Sequence, residues 1–216
     1  MKITETDSRK TRLESILRNE IIPKLEAIMG PIKESCIETL MENCKLKAVI
    51  KDQYIEEGGS FEDGNMHYLH SGIARSCYYD PDIDKPIISR IWKKQEVMFD
   101  VNSFVNSGIR TEAIQMLEDG ELISISYYSL KHILETYPKM LLLLLYLQAE
   151  REKHNKFYQH LLKLTVEERV RLYLNDNPTL CNRINKDCIA LHLGISRSKF
   201  SSAYTLYKQQ KDAQTA

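Results

Sequence analysis

The chain has 216 residues, 43% hydrophobic and 28% charged, with 30 Lys/Arg balanced by 30 Asp/Glu. That length supports one large core or two smaller ones, and the composition excludes a disordered polyelectrolyte. The longest apolar run, Met140 to Leu147, falls far short of the roughly 20 residues of a membrane span, and Met1 to Glu20 carries no apolar signal segment. The expectation is a cytoplasmic protein with no membrane partner. The zero net charge conceals an asymmetry: Lys153 to Ala216 holds eleven Lys/Arg against five Asp/Glu. A basic end on an acidic body suits a nucleic-acid-binding module joined to a separate sensor.

The first 45 residues read as lead-in helices. Leu13, Ile16, Leu17, Ile21, Leu25 and Ile28 recur with helical period until Gly30-Pro31, and Ile32, Cys36, Ile37 and Leu40 continue a second piece. From 46 to 135 the pattern changes to short strand-like runs punctuated by Gly, Pro and Asp. These runs are Leu46–Ile55, Met66–Leu69, Ile73–Tyr79, Pro86–Trp92, Thr111–Leu117 and Leu122–Tyr128. The spacing predicts an antiparallel β-sandwich or roll, with Asp119-Gly120 as a hairpin turn. Ser129-Leu130 opens a short helix, and Pro138 sits in the first turn of a longer one.

That longer helix, within 136–163, is apolar all round from Met140 to Leu147. Such a helix must be covered on two sides, so a second copy of the chain is the simplest partner, with Leu143, Leu144, Leu147 and Phe157 at the contact. An internal core helix is the alternative. Residues 164–216 follow. Thr165 with Glu167 and Glu168 reads as a capped helix start, and Asn175-Asp-Asn-Pro178 as its end.

Asn185 to Lys208 then divides into two helices at Leu193-Gly194-Ile195. Ile189, Ala190 and Leu193 give the first an apolar face; Gly194 supplies the positive φ of a sharp turn; Ser196 caps the second. Phe200, Tyr204 and Tyr207 bury one side of the second helix. Ser198, Ser201, Ser202, Thr205 and Lys208, with Ser196, Arg197 and Lys199 at its start, form the polar side. A helix-turn-helix needs that division, one face fixed and the other free for a major groove. An ordinary helical hairpin would show the same periodicity.

Five scattered cysteines (Cys36, Cys44, Cys77, Cys181 and Cys188) without C-x-x-C argue against a disulfide framework and against a thiolate metal site. His67-x-x-His70 has no third ligand nearby, so no metal is expected. No Gly-rich phosphate loop, G-x-S-x-G or metal cluster supports catalysis, and an enzyme is not expected.

This order of parts resembles the Crp/Fnr family of bacterial transcription regulators. The most specific residues are Leu164-Thr-Val-Glu-Glu-Arg169, Asn177-Pro178 and Ile189-Ala-x-x-Leu-Gly-Ile-Ser-Arg197. The resemblance implies an α+β chain: a jelly-roll-like, cyclic-nucleotide-binding-like β-roll with flanking helices, a long central dimerisation helix and a C-terminal helix-turn-helix. It implies a homodimer on palindromic double-stranded DNA, and RNA polymerase as a further partner. In cyclic-nucleotide-binding relatives a Gly-Glu pair and a later Arg-Ser hold the nucleotide. Asp100, Arg110 and Thr111 are the matching candidates here, but Phe99 stands where glycine admits phosphate, which argues against cyclic AMP and leaves the effector unknown. Serines at 198 and 202 replace side chains that read bases in the family. The competing reading is a ligand-sensing or protein-interaction module with a degenerate helix-turn-helix and no specific DNA binding.

Overall fold

The computed structural model describes residues 5–82 and 84–215. It divides into two compact units, one built from residues up to Ala74 with Trp92–Glu150, the other from Arg75–Ile91 with residues from Arg151 on.

In the first unit the lead-in segment forms α1 (Glu5–Ile16) and α2 (Ile22–Met29), joined through a π-helical turn at Leu17–Ile21. Gly30, with φ of 72°, ends α2, and α3 (Glu34–Asn43) follows. Among the described residues eight strands follow in chain order: β1 (Lys45–Val49), β2 (Tyr54–Glu56), β3 (Asn65–Ser71), β4 (Ala74–Asp80), β5 (Lys85–Trp92), β6 (Val97–Met98), β7 (Ala113–Met116) and β8 (Gly120–Ser126), of which β4 and β5, apart from Ala74 and Trp92, fall in the second unit. One four-stranded sheet has the order β1-β8-β3-β6, the other β2-β7-β4-β5, and the β1–β8, β3–β8, β3–β6 and β2–β7 pairs are antiparallel. The expected roll is therefore present.

Two details differ from the sequence expectation. Leu46–Ile55 is not one strand: the chain turns between β1 and β2, where Asp52 takes a φ of 66°. Asp119-Gly120 is not a hairpin turn either, because β7 and β8 lie in different sheets. The turn is a corner between sheets. Asp119 Oδ1 accepts the Lys51 N–H at 2.7 Å, and a Cβ on Gly120 would fall 2.2 Å from the Ser71 carbonyl oxygen. The glycine is there for that close approach rather than for a two-residue loop.

The sandwich interior is filled by Leu69, Ala74, Met98, Met116 and Leu122, all fully buried. A second apolar cluster joins α1–α3 to α4 (Val101–Asn106), α5 (Tyr127–Thr136) and the start of α6 (Leu141–Leu162). Ser126 caps α5 by accepting the Ser129 N–H. Pro138 occupies a single 3-10 turn leading into α6.

In the second unit α6 leads to α7 (Val166–Asp176), α8 (Lys186–His192) and α9 (Arg197–Thr215). Thr165 caps α7 through the Glu168 N–H, as its sequence position predicts. The β4–β5 hairpin belongs to this unit by its contacts, which the sequence did not announce. Among the described residues no helix is long and apolar enough to cross a membrane.

Candidate nucleic-acid interface

The division of α9 into two faces is the central fact of the second unit. Phe200 and Ala203 are buried, and Tyr204 and Tyr207 are half-buried. Rings stack along this side, Phe200 on Tyr204 at 5.9 Å and Tyr204 on Tyr207 at 6.4 Å. Truncating a buried Phe such as Phe200 costs about 3–5 kcal/mol, which is the scale of the force fixing α9 in place. On the other side Ser196, Arg197, Ser198, Lys199, Ser201, Ser202, Thr205 and Lys208 are all exposed. Every residue that the sequence assigned to DNA is thus open to solvent.

Local geometry explains why α9 starts where it does. Gly194 adopts φ of 66°, the left-handed conformation a side chain disfavours. The Ser196 hydroxyl oxygen accepts the Lys199 N–H at 3.4 Å and lies 3.1 Å from the Ser198 hydroxyl. Ser202 and Thr205 donate their hydroxyl protons back into the helix, to the carbonyls of Ser198 (3.2 Å) and Ser201 (3.0 Å). Those hydroxyls therefore present lone pairs outward. Lys186 and Lys208 hold their ammonium groups 4.4 and 5.3 Å from the Tyr204 ring centre. Arg197 donates from its terminal nitrogen to Asp187 Oδ2 at 2.7 Å, the two side chains being 70% and 39% exposed.

Two residues behind this surface were given no role by sequence reasoning, although Arg169 closes one of the motifs that carry the resemblance. Arg169 donates to four carbonyls at the ends of helices: Leu161 (3.0 Å), Leu162 (2.9 Å), Leu164 (3.2 Å) and Leu193 (2.9 Å). It satisfies orphan carbonyls of α6 and of the turn after α8 with one fixed cation. His192, on α8, is 1% exposed. Its Nδ1–H donates to the Ile88 carbonyl of β5 at 3.0 Å, and its ring stacks on Tyr158 at 5.2 Å and tilts against Tyr173. The Tyr158 hydroxyl in turn donates to the His192 carbonyl at 2.7 Å. Burial pushes the imidazole pKa below its ordinary value, with the Arg90 charge acting in the same direction and the bond to Ile88 opposing it. The hairpin strand β5 and the first helix of the helix-turn-helix thus share one buried hydrogen bond.

The candidate pocket residues of the roll do not converge on an open site. Asp100 caps α4 by accepting the Ser103 N–H, and Thr111 is exposed. Phe99 packs among Phe104 and Tyr127 at 5.3 and 5.4 Å, as core. Arg110, 5% exposed, donates to Glu56 Oε1 at 2.5 Å and to the Ser60 carbonyl at 3.1 Å. The other Glu56 oxygen accepts from His67 Nε2 at 2.8 Å, and His67 Nδ1 lies 2.5 Å from the Ser124 hydroxyl. Arginine, carboxylate, imidazole and hydroxyl therefore satisfy one another inside the protein. The Gly59 and Arg110 backbones pair on both sides, N–H to carbonyl at 3.0 and 2.9 Å. An open hollow of about 430 Å3 exists in the first unit, lined by Phe104, Val105, Lys131, Leu134, Leu141 and Leu144 among others. None of Asp100, Arg110 and Thr111 lines it.

Leu143 and Leu144 of the expected dimer helix are buried in the chain's own core, and Leu147 packs on it, while Phe157 is half-buried. The apolar side of α6 left uncovered is instead Leu141, Leu142, Leu145 and Tyr146, between 42 and 67% exposed. Helix period separates the two sets: the inward pair recurs with Met140, the outward set lies on the opposite flank.

No protein-family model matches this chain, and no curated protein sequence does. Solved structures do. The chain is similar to FixK2 from Bradyrhizobium japonicum, with TM-score 0.67 and 19% identity over 78% of this chain and 86% of that one. It is similar to CLP of Xanthomonas campestris, a c-di-GMP-responsive global regulator, with TM-score 0.63 and 19% identity over 84% and 93%. A protein assigned to the crp/fnr family of transcriptional regulators, from Eubacterium rectale, aligns with TM-score 0.67 and 16% identity over 83% and 85%. The chain has the Crp/Fnr fold. At these identities the likeness establishes the Crp/Fnr architecture of roll, long helix and helix-turn-helix, and the chemistry must be read from this chain's own residues.

Proposed function

We propose that this chain is a DNA-binding transcription regulator of the Crp/Fnr type, a binding protein rather than an enzyme. The observation that supports it is the exposed face of α9, where Arg197, Lys199 and Lys208 stand among hydroxyl side chains on a helix anchored by Phe200. Cations of this kind supply phosphate contacts and guanine recognition, and hydroxyls bond to either phosphate or base. The regulators of the same fold support the same role.

In this reading two copies associate through the uncovered side of α6 and meet the two halves of a palindromic site. The roll takes no cyclic nucleotide at Arg110, because its guanidinium is already engaged by Glu56 and the Ser60 carbonyl.

Selection of bound sequences from a random duplex pool, repeated across a salt series, tests the proposal. The expected result is an enriched inverted repeat, with affinity falling as salt rises by about 0.9 log units per log unit of salt for each phosphate contacted. Weak, salt-insensitive association with no enriched sequence would overturn it and favour a protein-interaction role for the helix-turn-helix.

A further inference from the structure

The Arg197–Asp187 pair carries a consequence for how DNA is read. Three facts about Asp187 set the stage. Its backbone is fixed, because its N–H donates to the side chain of the α8 cap Asn185 at 2.9 Å. Its Oδ1 is buried without a hydrogen-bond partner, so Oδ2 is the oxygen available outside. That oxygen holds Arg197 at 2.7 Å.

Arg197 is also the one arginine on the exposed face of α9, and the first turn of that helix has no acidic residue. The neighbouring hydroxyls are short and are bonded among themselves or to carbonyls. The orientation of the Arg197 guanidinium therefore determines what the face can discriminate. A guanidinium reads guanine through two parallel bonds to O6 and N7, which requires its plane to be set. A loose one takes any phosphate oxygen it meets. Anchoring one terminal nitrogen on Asp187 narrows the range of guanidinium orientations and leaves the other donors available. The carboxylate also repels phosphate approaching from the α8 side.

We infer that Asp187 is a specificity-determining residue: it positions Arg197 for a guanine edge and penalises phosphate contact at that place. Asp187 itself reads no base. The inference rests on the DNA-binding reading above. Because the pair is largely exposed, its effect is modest, in the range of roughly two- to fivefold.

The test uses the full-length chain, the site recovered by selection, and a scrambled duplex of the same length and composition. Affinities are measured by fluorescence anisotropy for the unaltered chain, Asp187→Ala, Asp187→Asn, Arg197→Ala and the Asp187→Ala/Arg197→Ala double variant, with circular dichroism to confirm folding. Asp187→Ala is expected to raise affinity for the scrambled duplex roughly two- to fivefold while the selected site gains nothing, so the ratio of the two falls. Asp187→Asn, which keeps an acceptor but loses the charge, should fall between. In the Arg197→Ala background, removing Asp187 should leave the ratio unchanged. Equal gains on both duplexes would overturn the inference, since that is bulk charge alone. A loss of ratio that persists without Arg197 would overturn it too, because a merely structural Asp187 would behave so. Failure to select any site with the unaltered chain would sink the DNA-binding reading itself, whereas a selected site with an unmoved ratio would sink only the role given to Asp187.

Discussion

Two arginine–carboxylate pairs of the same chemistry sit in the two units, and their surroundings give them opposite uses. Arg110 and Glu56 are 5% and 8% exposed and are closed off by His67, Ser124 and the Ser60 carbonyl. Arg197 and Asp187 are 70% and 39% exposed, with a single bond between them. In the roll, low dielectric and full hydrogen bonding make the pair a rigid part of the core that is costly to break. Between α8 and α9 the pair is open to solvent and screened, so it orients the Arg197 side chain while adding little to stability. The difference is one of solvation, and it explains why a candidate ligand-binding arginine has become structural while a surface one is available.

The largest expected effect breaks the buried pair from one side. Glu56→Ala leaves Arg110 charged and uncompensated, and should lower unfolding free energy by about 3–5 kcal/mol, read from the denaturant midpoint. The Glu56→Leu/Arg110→Met double variant should be less damaging than the single change, since it removes both charges together. If the single variant costs nothing, the pair is not buried in solution and the contrast collapses.

Arg197→Ala is the matching cut on the surface. It should leave stability within about 0.5 kcal/mol of the original and cost about 1–3 kcal/mol of binding at the selected site, relaxing preference at one base position. A uniform loss across sequences would mark Arg197 as a phosphate contact instead.

A third perturbation uses pH. Burial holds the His192 pKa below the ordinary value of 6.5. Below that value the unfolded chain binds a proton that the folded chain resists, so this contribution to stability is complete above about pH 6.5 and is lost as pH falls toward the folded-state pKa. Unfolding midpoints from pH 8 to 5 should decline on the acid side, and His192→Phe should flatten that decline. Identical slopes for both chains would assign the acid sensitivity elsewhere. The smallest change is Tyr158→Phe, which removes the bond to the His192 carbonyl and should cost about 1 kcal/mol, measured by the same denaturation.

Much of this was readable in the sequence because it is local. Period placed α1–α3 and α7–α9, Gly194 and Ser196 marked the turn, and the polar side of α9 followed from the spacing of Phe200, Tyr204 and Tyr207. What stayed hidden was either short or long-range. The two residues of β6 and the six of α4 are too few to show a period. The π-helical turn at Leu17–Ile21 moves the buried positions on by one residue, to Ile22, Leu25 and Met29, leaving Ile21 and Ile28 half-buried, and because both positions are apolar the shift leaves no mark. Asp119-Gly120 carries hairpin chemistry but serves a sheet corner, because the partner strands are chosen by distant pairing. Glu56 and Arg110 lie far apart in the chain, and nothing near either one names the other. His192 looks like an ordinary polar residue of a helix until β5 supplies its carbonyl.

That last contact bears on how the protein can be dissected. The strand that accepts from His192 comes from the middle of the chain, so α7, α8 and α9 are not a contiguous module. A fragment beginning at Arg151 would carry all of α7, α8 and α9 and still lack one wall of its own interior. It would open to water the side of the His192 ring that the Ile88 carbonyl covers in the whole chain. Grafting this helix-turn-helix onto another scaffold would therefore require transplanting the Arg75–Ile91 hairpin with it, as two separate pieces of one small domain.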